Sequence, residues 1–88
     1  MNQELPRVQF STNDRAATNR YGLWLAASLR DLEKLGDELV NGTRVIIYEP
    51  GELEMEAVVN FDADWNAWIA TGDEATIRYY PGAFGETA

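Results

Sequence analysis

The chain reads as an α+β domain: one long N-terminal helix over residues 14–41, packed on a small, strongly bent antiparallel sheet of four or five strands over 43–80. Three observations predict this. Tyr21, Trp24, Leu25, Leu29, Leu32, Leu35 and Leu39 recur at threes and fours, which gathers them on one stripe of a helix. Leu53, Met55, Ala57, Val59 and Phe61 alternate with Glu54, Glu56, Val58 and Asn60, the period of a strand with one buried and one mostly wet face. Turn formers recur at Pro50-Gly51, Asp62-Ala63-Asp64 and Thr71-Gly72-Asp73, spaced as in a small all-β unit.

Residues 1–13 read as an arm or edge strand, because Val8 and Phe10 alternate while Pro6 cannot donate to a ladder. Ser11 with Asp14 three residues later has the form of a capping box, and Thr18-Asn19 offers a second helix start. The helix carries Arg30, Asp31, Glu33, Lys34, Asp37 and Glu38 opposite its apolar stripe, several at i,i+3 or i,i+4. Gly22 weakens its first part by about 1 kcal/mol relative to Ala, and Asn41-Gly42 supplies a left-handed stop. Arg44–Glu49 is a strand apolar on both faces, Val45 and Ile47 against Ile46 and Tyr48, which suits a place between the sheet interior and the helix. Glu49-Pro50-Gly51-Glu52 fits a type II turn: Pro presets the first central φ and Gly accepts the positive second one. After the Leu53–Phe61 strand, Trp65–Ala70 and Ala75–Tyr80 complete the sheet, and 81–88 is a loose tail with only Phe84 to bury.

With 88 residues there is room for one domain and one core. No apolar run approaches a membrane span. The absence of cysteine removes disulfides and thiolate chemistry and favours the cytoplasm. The net charge of −8 is lopsided: residues 1–35 carry five bases against four acids, and 36–88 carry two against eleven. Such a surface repels phosphate backbones and anionic lipid, which argues against direct nucleic-acid or membrane binding and suits a basic partner.

Gly42-Thr43-Arg44-Val45-Ile46-Ile47-Tyr48, Glu56-Ala57-Val58-Val59-Asn60-Phe61-Asp62 and Trp65-Asn66-Ala67-Trp68-Ile69-Ala70 resemble the strands of SH3-like small barrels, and the chain looks like short bacterial proteins in which a helix leads into such a barrel. The resemblance covers about half of the chain and implies a barrel of four or five strands. It does not extend to the proline-rich ligands of signalling SH3 domains, because no Ala-Leu-Tyr-Asp-Tyr-like segment is present.

Without histidine or cysteine the usual triads, thiol nucleophiles and zinc clusters cannot be built. Glu54 and Glu56 share a strand face, where they read as solvated residues rather than a glycosidase pair. Asp62-x-Asp64-x-Asn66 with Asp73 has most of a calcium-loop spacing, but Ala67 stands where the loop needs Gly, so a hairpin turn accounts for it better. The expected function is a non-catalytic protein–protein interaction module without a cofactor. Its binding face would be the acidic, aromatic side of the sheet, with Glu52, Glu54, Glu56, Trp68, Tyr48 and Tyr80, holding a basic partner in the manner of an inhibitor or immunity-like protein. Two alternatives are a homodimer through Tyr21, Trp24, Leu25 and Leu32, since Leu25, Leu32 and Leu39 stand seven apart, and a small-ligand or metal binder.

Overall fold

Alternation builds the central strand. In the structure, a computed structural model describing residues 5–80, the elements are β1 (Arg7–Gln9), β2 (Arg15–Ala17), β3 (Arg20–Gly22), α1 (Ala26–Glu33), β4 (Thr43–Glu49), β5 (Leu53–Asp62), β6 (Ala67–Gly72) and β7 (Arg78–Tyr79), with 3₁₀ turns at Gly36–Glu38 and Glu74–Thr76. The strands form one seven-stranded sheet in the order β1-β4-β5-β6-β3-β2, with β7 added to the start of β5. Every pairing is antiparallel except β1 with β4.

β5 turns Leu53, Met55, Ala57 and Val59 inward, where they join Val45 and Ile47 of β4 and Ala70 of β6 in one core. Phe61 has the same parity but lies past the core, 45 % exposed. Phe10, just after β1, meets Tyr21 of β3 edge to face with centroids 5.0 Å apart. Residues near the two ends of the strand order therefore touch, and the sheet curls around its core. Glu52 N–H donates to the Glu49 carbonyl at 3.0 Å and Gly51 has φ +77°, as the Pro-Gly turn requires.

The long helix over 14–41 does not form. Its first part is the β2–β3 hairpin, turned at Asn19 with φ +60°. Ser11 and Asp14 close a turn instead of capping a helix: Asp14 N–H donates to the Ser11 carbonyl, and Asn13 N–H to the Ser11 hydroxyl. The helix that remains has eight residues. It ends at Glu33 with Lys34 as its C-cap, and Gly36, at φ +54°, bars an α-helical continuation well before Asn41-Gly42. Gly42 does take a positive φ, but there it turns the chain into β4. Inward alternation of Tyr21 and Leu23, both buried, overrides the helical spacing: paired with β6, these residues reach the core from a strand.

Nor does α1 lie over the outer face of β4. It packs along β1, and Leu32 is its residue in the core. The sheet differs from expectation in extent as well, with seven strands over 7–79 rather than four or five over 43–80. The last strand is two residues long, because the Asp73 carboxylate accepts from Ala75 N–H at 3.1 Å and starts a 3₁₀ turn. The expected tail 81–88, with Phe84, lies outside the described residues.

Candidate functional site

Three surfaces carry the residues singled out by sequence. The first is the outer face of β4, β5 and β7. Glu54 is paired in register with Tyr48 on one side and Arg78 on the other, and β1 runs beside β4, which brings Arg7 over the same place. Arg7 donates to Glu54 Oε1 at 3.1 Å and Arg78 to Glu54 Oε2 at 2.8 Å. The Tyr80 hydroxyl donates to Glu54 Oε1 at 2.9 Å while accepting from Arg7 at 2.9 Å. The Arg7 guanidinium stands 4.8 Å from the centroid of the Tyr48 ring.

Glu54 is consequently 9 % exposed despite its outward position. Burial pushes its carboxyl up, but hydrogen bonds from Tyr80, Arg7 and Arg78 outweigh it and hold the group below the ordinary carboxylate value. Burial, helped by the Glu54 carboxylate, raises the Tyr80 phenol. Glu56 is held by Arg44 at 2.8 Å. Glu52 is half-buried and has no ion-pair partner among the described residues. Two of the three expected binding carboxylates are thus neutralised within the chain.

The structure brings Tyr48, Glu54 and Tyr80 together, with Glu56 beside them, but separates Trp68 from the group. Trp68 has the inward parity of Ala70 and packs against the core, with the Phe61 ring edge-on at 5.6 Å. Alternation along β6 groups Trp68 with Ala70, packing turns that face inward, and the outer acidic face has no Trp68.

The second surface is an aromatic pair. Trp24 and Trp65 stack with centroids 5.4 Å apart and planes 25° from parallel. A Cβ on Gly22 would fall 1.9 Å from the Trp24 ring, so the ring lies directly on that glycine. Ile69, the register partner of Gly22 on β6, is 1 % exposed although it faces outward. Sequence reading missed this pairing. The available signal was a glycine two residues before a tryptophan, in a run where Tyr21 and Leu23 alternate.

The third surface is a groove of about 510 Å³ between α1 and β6, lined by Leu29, Leu32, Glu33, Gly36, Leu39 and Trp68. The four expected dimer residues do not share a helix face: Tyr21 is buried in β3, Trp24 lies on Gly22, Leu25 precedes α1, and Leu32 is in the core.

The acidic turn after β5 has a local role. Asp62 accepts from Asp64 and Trp65 N–H groups through Oδ1, at 2.8 and 3.2 Å, and from Arg20 through Oδ2 at 3.0 Å. The Arg20 guanidinium and these backbone donors hold the Asp62 carboxyl below its usual range. Asn66 adopts φ +53° and sends the chain into β6. The carboxylates of the calcium-like spacing thus stand at a hairpin turn and, for Asp73, beyond the far end of β6. No helix among the described residues is long and apolar enough to cross a membrane.

Comparison of the chain with protein-family models, curated proteins and solved structures yields no match.

Proposed function

We propose that the chain is a non-catalytic module that binds a basic protein partner. The observation that carries this reading is the pattern of ion pairs. Arg7, Arg20, Lys34, Arg44 and Arg78 each contact a carboxylate of the chain itself. Among the described residues, Glu33, Asp37, Glu38, Asp73 and Glu74 have no such partner and are exposed. Most cations are occupied, and the uncompensated charge is negative, so long-range attraction favours a cationic partner.

The reading does not rest on Glu54 and Glu56, whose charges are already met. The cysteine-free composition keeps the cytoplasm as the proposed compartment. A titration with a lysine-rich peptide and with its glutamate-substituted counterpart, each at low and high salt, tests the reading. The lysine peptide is expected to bind, with affinity falling steeply as salt rises. No association with any basic probe at low salt removes the proposal.

A further inference from the structure

Resting on that basic-partner reading, we propose that the groove between α1 and Trp68 is the docking site, and that its occupant is an amphipathic basic segment with apolar anchors. The groove is a concave place where exposed apolar surface and uncompensated carboxylates coincide. Leu29 on its α1 wall is 52 % exposed. The Trp68 wall continues into Phe61, which is 45 % exposed and rests edge-on against the Trp68 ring. Such surface on a small chain marks a contact site.

The rim is acidic. Glu33 lines the groove, and Asp37 and Glu38 follow in the 3₁₀ turn that carries Gly36. None of the three has an ion-pair partner among the described residues. The neighbouring cations cancel them only in part: Lys34 is engaged by Asp31 at 3.7 Å, and Arg30, three residues before Glu33, stands against three carboxylates. An apolar floor with a negative rim is complementary to a segment with apolar side chains on one face and Lys or Arg on its flanks.

The same charges decide against a second copy of the chain as occupant. A two-fold contact through this groove would bring two copies of a net-negative rim into one closing interface, which like charge disfavours. A basic segment meets the opposite field.

The test uses a labelled amphipathic peptide of leucines and lysines and a hydrophilic control in which serines replace the leucines, with binding read by fluorescence anisotropy. Leu29→Ser and the triple variant Glu33→Gln/Asp37→Asn/Glu38→Gln alter exposed positions, and thermal melts check that each folds. Each is expected to weaken the leucine–lysine peptide by on the order of tenfold. The triple variant should also flatten the salt dependence, while Glu52→Gln changes nothing and the serine control binds weakly to every form.

Equal binding by the wild type and both groove variants overturns the groove while leaving the basic-partner reading in place. Failure of every basic probe at low salt removes that reading and the groove with it. A dimer in light scattering that becomes a monomer on Leu29→Ser assigns the groove to a second copy and overturns the proposal.

Discussion

Glu54 shows how an outward position on a strand can become an interior one. Its carboxylate collects donors from Arg7, Arg78 and Tyr80, residues drawn from both ends of the described chain. Because its folded pKa is depressed, its contribution is complete above the unfolded carboxylate value, about 4.3, and is lost as pH falls through the lower folded value. Asp62 adds the same sign. Glu54→Gln is expected to lower stability at neutral pH by about 1–2 kcal/mol, a figure limited by the solvent exposure of both arginines. It should also flatten part of the acid limb; chemical denaturation at stepped pH checks this, and a limb identical to the wild type counts against the network. Tyr80 acts at the other extreme: its raised value contributes stability that is complete below the ordinary phenol pKa, about 10, and is lost as pH rises through the folded value. Gly22 gives a second residue-scale prediction. In Gly22→Ala the new methyl group displaces the Trp24 ring, costing about 1–3 kcal/mol and removing the Trp24–Trp65 signal from the near-ultraviolet circular dichroism spectrum. An unchanged spectrum would show that the ring does not rest there.

At the scale of elements, α1 acts chiefly as an edge cover. The backbone of Gln9 in edge strand β1 turns both polar groups toward the helix: its N–H donates to Asp31 Oδ2 at 2.9 Å, and its carbonyl accepts from the Ser28 hydroxyl. An open strand edge is thereby closed by two helical side chains one turn apart. Ser28 is fully buried, so Ser28→Ala leaves a carbonyl without its donor and should cost about 1–2 kcal/mol. Asp31→Ala should specifically accelerate amide hydrogen exchange at Gln9, and retained protection there would contradict the covering role. The other gap, along β5 between β7 and β6, is filled by the Glu74–Thr76 turn: Glu56 N–H donates to the Thr76 hydroxyl at 2.9 Å, and Asp73 N–H to the Glu56 carbonyl at 2.9 Å. Neither device was legible beforehand, because each depends on a side chain meeting a strand distant in sequence.

At the scale of the whole molecule, the charge is held by structure rather than distributed evenly. Ion pairs consume most of the described cations, and the excess negative charge stays at the surface. Compaction of a chain with net charge −8 carries self-repulsion that dissolved ions screen. The melting temperature at neutral pH is therefore expected to rise as sodium chloride is added to low-salt buffer. A fall on adding salt would show that the internal ion pairs outweigh the repulsion.

The sequence by itself determined β4 and β5, each to within one residue at one end, and the Pro50-Gly51 turn, because a period of two and a proline-fixed φ are local properties that sheet pairing only reinforces. It also determined the charge balance. The residues that carry the SH3-like resemblance lie in β4, β5 and β6, apart from Gly42 before β4 and Trp65 and Asn66 in the turn before β6. Only the tertiary structure decided the fate of residues 14–41. Their apolar spacing satisfies a helix and, at Tyr21 and Leu23, a strand equally well, and pairing with β6 selects the strand. It likewise decided that the Trp68 face of β6 is the inward one, and that Glu54 and Glu56 meet arginines. Those partners are assembled by strand order, which no local pattern encodes.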